Sequence, residues 1–181
     1  MALLDLVKRR RSVRSFSARP VEREKTMKCL EAARLAPSAC NAQPWKFIVV
    51  DDRELKDKLC HAAFGGIYSI SAFCKKAPVI VALVSEQRQL LPRIGGILRG
   101  TRYCLIDIGI AGEHFVLQAE ELGLGTCWVG WFNERAVKRI LNIPRHKKID
   151  ILIALGYGHG EKSPAAHSRR PIDKIASFNS Y

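Results

Sequence analysis

Residues 103–122 read YCLIDIGIAGEHFVLQAEEL and run directly into GLGTCWVGW at 123–131. The first stretch has the period of a helix, with Ile106, Ile108, Phe115, Val116 and Ala119 crowding more than one face. A helix apolar around so much of its circumference must be covered on several sides, which places it at the centre of the fold or in a subunit interface. Gly123 and Gly125 mark its end, and 126–131 resumes as an apolar strand.

The alternation of helix and strand continues outward in both directions. Toward the N-terminus, residues 79–85 form an apolar strand after Pro78, 68–75 a helix and 46–50 a buried strand rich in Phe, Ile and Val. Between these strands, Asp51 and Glu54 have the spacing of a capping box, followed by Leu55, Leu59 and Ala62 on one helical face until Gly65 and Gly66. Residues 22–35 place Met27, Leu30 and Ala33 at helical intervals, and Pro37 forbids continuation. Residues 2–8 form a short apolar helix that runs into a basic cluster. Residues 86–102 hold Pro92, Gly95, Gly96 and Gly100 around short apolar patches, and read as a mobile loop or broken helix.

Toward the C-terminus, Asn133 caps a helix carrying Val137, Ile140 and Leu141, and 149–155 is a strand. A tail with two prolines, three glycines and the pair Arg169-Arg170 completes the chain. Four or five strands separated by helices argue for an α/β or α+β sandwich, with strand direction left open by periodicity. There is no repeat or interdomain linker, so 1–181 reads as one domain.

With 48% apolar residues in 181, such a domain can bury a core without disulfides. No segment has the roughly 18 uninterrupted apolar residues of a membrane helix, and Asp5 and Lys8 interrupt any secretory leader. The expectation is a cytoplasmic protein with no membrane partner. No two of the six cysteines have a zinc-knuckle or thioredoxin-like spacing, so no metal site is expected and the thiols read as reduced and mostly buried.

Thirty Lys and Arg against seventeen Asp and Glu give a net charge of +13, which attracts polyanions. The basic residues gather at 8–11 with Arg14, at Lys138 and Arg139, at 145–148, and at Arg169 and Arg170. Nucleic-acid binding is therefore a rival reading, disfavoured because no helix-turn-helix, RNP-like motif or zinc finger accompanies the charge. A phosphate-bearing cofactor accounts for the two terminal clusters more economically.

Four motifs carry chemistry. Arg10, Arg11, Ser12 and Arg14 place three guanidinium groups and a hydroxyl where a helix gives way to extended chain, able to converge on a phosphate or to form a solvated basic face. Residues 36–45 frame Ser38, Asn41 and Gln43 between Pro37 and Pro44. Uncharged groups that both donate and accept suit the edge of a flavin ring, and the alternative is a polar turn. In 123–131, Gly130 would let the backbone approach a flat ligand, while Trp128 and Trp131 read equally well as core. Gly156-Tyr157-Gly158 with Arg169-Arg170-Pro171 would complete a phosphate clamp if the tail folds back.

In this order, Arg-Ser-Val-Arg at 11–14, Pro-Ser-x-x-Asn-x-Gln-Pro-Trp at 37–45, Gly-Leu-Gly-Thr-Cys-Trp-Val-Gly at 123–130, Ala-Leu-Gly-Tyr-Gly at 154–158 and Arg-Arg-Pro at 169–171 resemble the nitroreductase family across nearly the whole chain. The resemblance implies an α+β three-layer sandwich with a central, mostly antiparallel sheet flanked by helices. It also implies a homodimer with two FMN sites along the subunit interface.

By motif, Arg10, Arg11, Ser12 and Arg14 look like phosphate, ribityl or ring contacts, joined at the phosphate by Arg169 and Arg170. Pro37, Ser38, Asn41 and Gln43 look like cofactor contacts partly supplied by the partner subunit, and Val129, Gly130 and Trp131 like the segment against the isoalloxazine. His167 stands near where a Lys or Arg often helps hold the phosphate, and 86–102 would border the substrate mouth.

The implied activity is ping-pong hydride transfer from NADH or NADPH through the flavin to a small electron-poor acceptor such as a nitroaromatic or quinone. No catalytic side chain is expected, because the flavin carries the chemistry. A specialised flavoenzyme of the same fold, acting in dehalogenation, desaturation or flavin breakdown, is the alternative. A basic nucleic-acid-binding module is the third reading.

Overall fold

The strand Val79–Ser85 is buried along its entire length, and the rest of the molecule is arranged around it. The computed structural model describes residues 2–86, 90–159 and 168–181. Its strands are β1 (Trp45–Val50), β2 (Val79–Ser85), β3 (Gly125–Val129) and β4 (Lys148–Gly156), and among the described residues they form one open sheet in the order β1-β2-β4-β3. Every neighbouring pair is antiparallel, with Ile80 opposite Val50 and Ala154, and Thr126 opposite Leu155.

Successive side chains of a strand point to opposite faces, so a strand buried throughout must have helices on both. Val79, Val81 and Leu83 pack with Ile153 and Leu155 in one core, and Ile80, Ala82 and Val84 with Leu152 and Ala154 in the other. The first core is closed by α2 (Arg23–Arg34) through Cys29 and Ala33, and by α5 (Tyr103–Glu121) through Ile108, Phe115, Val116 and Ala119. The second is closed by α3 (Arg53–Ala63) through Leu59, Cys60 and Ala63, and by α6 (Glu134–Ile140) through Val137. Each fully buried large side chain contributes about 1.5–3 kcal/mol relative to exposure. The expected α+β sandwich, with helices on either side of an antiparallel sheet, is what forms.

The N-terminal helix α1 (Leu3–Arg9) leads into an extended segment that runs along the β3 edge. Ser12 bridges Thr126 in parallel, the Val13 N–H donates to the Thr126 carbonyl at 2.8 Å, and Phe16 pairs with Gly158.

Several local readings are corrected. Residues 86–102 were expected to be a loop or broken helix, but Leu90–Arg99 is a helix, α4. Gly100, at φ +65°, ends it: Thr101 N–H donates to Gly96 O and Gly100 N–H to Ile97 O. The same closure with Gly123, at φ +77°, ends α5. The cap of α3 is Asp52 rather than Asp51, because Asp52 is the residue that is extended before the helix, and it accepts from the Leu55 N–H at 2.8 Å. Residues expected as a helix at 68–75 form a run of 3-10 turns, Gly66–Lys76. Strand β3 ends at Val129, so Gly130 and Trp131 lie beyond it.

Candidate functional site

The first part of the site is set by one close approach. A Cβ on Gly125 would stand 2.6 Å from Cγ2 of Val13, so glycine there lets the N-terminal segment press onto β3 with Val13 turned inward. The neighbours Ser12 and Arg14 are then directed away from that buried position, Ser12 half-buried and Arg14 exposed. Both act on one residue of β3: burial pushes the Cys127 thiol up, while Arg14, the Ser12 hydroxyl and Arg10 act in the opposite direction. Arg10, whose N–H closes α1 on Leu6 O, also faces Glu113 of α5. Burial pushes the Glu113 carboxyl up, and Arg10 opposes it. Arg10, Ser12 and Arg14 therefore gather where α1, β3 and α5 meet, with Arg11 half-buried between them in sequence.

Beyond Cys127 the chain reaches Val129, which is buried, and then Gly130 and Trp131, which are exposed. A Cβ on Gly130 would meet only Ile151 Cδ1, at an ordinary 3.6 Å, so packing within the chain does not call for glycine there. Trp131 is 54% exposed yet held: its Nε1–H donates to Ile67 O at 2.8 Å, its carbonyl accepts from Ser71 Oγ, and its ring meets Tyr68 at 5.4 Å. Trp128 is a core residue, packed under Gly112, where a Cβ would come within 2.3 Å of the indole.

The amide loop is the second part. Cys40, Asn41 and Gln43 all adopt positive φ, between 46° and 51°, a conformation that costs a non-glycine residue of order 1 kcal/mol and persists only where other contacts impose it. Those contacts are present. Ser38 Oγ accepts from the Gln43 N–H at 3.0 Å, Gln43 Nε2 donates to Asn41 Oδ1 at 3.0 Å, and the Ala39 N–H donates to Asp107 Oδ1 at 3.1 Å. Asn41, Gln43 and Pro37 are exposed, so the loop displays a prearranged set of donors and acceptors. Asp107, buried on α5, was missed from sequence; its one signal is a carboxylate within an otherwise apolar stretch.

The fourth motif divides. Gly156-Tyr157-Gly158 is a structural joint: the Tyr157 hydroxyl donates to Glu22, accepts from Lys25 at 2.8 Å, and Arg19 stacks on its ring. The bond from Tyr157 is the main reason the Glu22 carboxyl is held at about 2. Arg169 and Arg170 are exposed, as is every described residue of the tail, and Arg170 donates to Lys174 O. Among the described residues no hydrogen bond or ion pair joins them to Arg10. His167 lies outside the described residues.

Among the described residues no helix is long and apolar enough to cross a membrane. Cys29, Cys60, Cys74 and Cys127 are buried, Cys104 is half-buried, and Cys40, in the amide loop, is exposed.

A family profile described as the Nitroreductase family matches residues 7–72 and 67–157. An NADH dehydrogenase of Thermus thermophilus is 31% identical, with 92% of this chain and 91% of its own covered. A nitroreductase family protein of Clostridium difficile 630 superimposes with a TM-score of 0.81 at 29% identity, with both chains covered in full. An FMN-dependent nitroreductase of Clostridium difficile R20291 gives a TM-score of 0.74 at 28% identity, over 98% of this chain and 99% of its own. The matched span holds the basic N-terminal segment, the amide loop and β3 on an antiparallel sheet, and on these grounds the chain belongs to the nitroreductase family of oxidoreductases.

Proposed function

We propose that the protein is an FMN-dependent NAD(P)H oxidoreductase that works as a homodimer and reduces a small electron-poor acceptor, such as a nitroaromatic or a quinone. The observation that carries this reading is the pairing of Ser12 and Val13 with Thr126, which lays the basic segment 10–14 along β3, the strand that leads into Val129-Gly130-Trp131. The FMN-dependent relative and the NADH dehydrogenase among its similar proteins support the cofactor and the donor.

The residues fit the group chemically. A flavin mononucleotide needs cations for a phosphate dianion, mixed donors and acceptors for a ring edge, and open backbone beside the ring. Arg10, Arg11 and Ser12 would hold the phosphate and ribityl chain, and Arg14 would lie toward the ring, where positive charge favours an electron-rich state. Gly130, which packing within the chain leaves free of steric demand, would let the backbone lie against the ring. Ser38, Asn41 and Gln43 would meet the polar ring edge from a loop already held in shape by Asp107. When bound, the flavin supplies the transfer of a hydride from the nicotinamide and its delivery to the acceptor. The chain contributes binding, orientation and fields, and no side chain is assigned as nucleophile or base.

Two features support a second copy. Arg169 and Arg170 are exposed, as are Pro37, Cys40, Asn41 and Gln43 of the amide loop, so these groups are open to a neighbouring copy. Large apolar side chains also face outward on α1 (Leu3, Leu4), α5 (Leu105, Ile106) and the tail (Ile172, Phe178), surface that a second copy would cover. The partner's loop and tail would complete each site.

The visible spectrum of the purified protein tests the reading. A yellow protein whose absorbance bleaches with NADH or NADPH, with one FMN per subunit and twice the 20.3 kDa chain mass in solution, is expected. A colourless preparation that takes up no added FMN overturns it. Product analysis with nitroaromatic, quinone and halogenated acceptors separates general reduction from specialised chemistry.

A further inference from the structure

A cleft of about 640 Å³ opens where β1 ends and β2 begins, and none of the residues assigned to the flavin lines it. Its two sides differ in character. Phe16, Pro20, Val21, Pro78 and Val79 make an apolar side, with Phe16 and Val79 buried. Arg53 and Lys56 from the start of α3, with Lys75 and Lys76 from the end of the 3-10 run, make a cationic one. Asp51 and Asp57 also line the cleft, so four fixed positive charges stand against two carboxylates.

Lys56 is the most informative of these residues. It is only 7% exposed, which a lysine rarely is. Its ammonium donates to Lys75 O at 3.1 Å and pairs with Asp57, leaving one of its three donors over. Lys75 and Lys76 are exposed and have no carboxylate partner among the described residues, so positive charge is concentrated on that side without being neutralised. The volume is in the range of small-molecule sites, about 300–1,000 Å³.

We propose that this cleft is a second binding site, separate from the flavin residues, for a phosphate ester carried on a ring-bearing body. The phosphate meets Lys75, Lys76 and the remaining donor of Lys56, and the ring lies along Phe16, Pro20 and Pro78. A phosphate dianion matches the excess charge of the lining, and the proline-containing side offers a rigid apolar surface that loses little entropy on contact. The proposal does not rest on the flavin reading.

Calorimetric titration of the full chain, carrying one FMN per subunit with excess FMN removed, tests it with AMP, adenosine and inorganic phosphate as probes. AMP is expected to bind at least about tenfold more tightly than either fragment. The double variant Lys75→Ser/Lys76→Ser, at two exposed positions, is expected to lose about tenfold in AMP affinity while its FMN content stays unchanged. AMP affinity unaltered in that variant overturns the site, and adenosine or inorganic phosphate binding as tightly as AMP overturns its two-part character. Should the protein take up no FMN, the same titrations without it decide the cleft independently, since the paired lysines lie outside the flavin assignment.

Discussion

The carboxylate of Asp107 and the backbone N–H of Ala39, 68 positions apart in the chain, are joined by a 3.1 Å hydrogen bond that ties the amide loop to the buried side of α5. The loop holds Cys40, Asn41 and Gln43 in left-handed conformations, so it needs such an anchor.

Asp107→Ala removes the acceptor and leaves the Ala39 N–H and a buried gap. A loss of about 1–3 kcal/mol of stability is expected in urea unfolding, with FMN affinity falling by about tenfold. Asp107→Asn, which keeps an oxygen at that place, should lose less of both. An Asp107→Ala protein that folds and binds FMN as tightly as the parent would detach the loop from the cofactor.

Two glycines separate packing from ligand approach. Gly125→Ala drives a Cβ to 2.6 Å from Val13 and should destabilise the apoprotein by about 1–3 kcal/mol, read as a lower Tm. Gly130→Ala meets nothing closer than 3.6 Å and should leave apoprotein stability within about 0.5 kcal/mol while weakening FMN binding. Equal FMN affinity in Gly130→Ala would move the ring away from this segment.

Arg10→Ala, Arg14→Ala and Arg169→Ala should each lower FMN retention, with Arg10→Ala losing about tenfold or more as a charge-assisted phosphate contact. Retained FMN with a loss of nucleic-acid affinity in the same variants would favour the basic binding module.

Glu134 ties α6 to β4 by accepting from the Ile149 N–H and pairing with Lys148 and Lys138. Burial pushes its carboxyl up, but the bonds from Lys148, Lys138 and Ile149 outweigh it and hold it at about 2, below the ordinary 4.5. A folded value below the unfolded one stabilises the protein above pH 4.5, and that share is lost as pH falls toward 2. Allowing for solvent screening, Glu134→Gln should cost about 1 kcal/mol at pH 7 and nothing near pH 2. A constant difference across urea unfolding curves from pH 7 to pH 3 would contradict the linkage.

Legibility in the sequence followed the range of the interaction. Every strand was legible because β-branched and aromatic runs bounded by Gly, Pro and Asp report local burial. The helix Leu90–Arg99 was not, because Pro92, Gly95 and Gly96 fall within it and argue locally against a helix, and only the bonds of Gly100 and Thr101 show where one closes. Tyr157 read as part of a phosphate clamp because Gly-Tyr-Gly fits a loop at a ligand, whereas Glu22 and Lys25, distant in the chain, make it a structural joint.

The sequence by itself determined a layered sandwich of strands and helices, α/β or α+β, with the basic N-terminal segment and the proline-framed loop, since period, turn residues and charge act over a few positions. Only the tertiary structure decided the order β1-β2-β4-β3, the pairing of the basic N-terminal segment with Thr126 of β3, the Asp107 anchor and the cleft beside Lys56. Each of these is a meeting of groups far apart in the chain. Local periodicity says that a side chain is covered, but not by what, and the partner is selected only when the two cores close on opposite faces of one sheet.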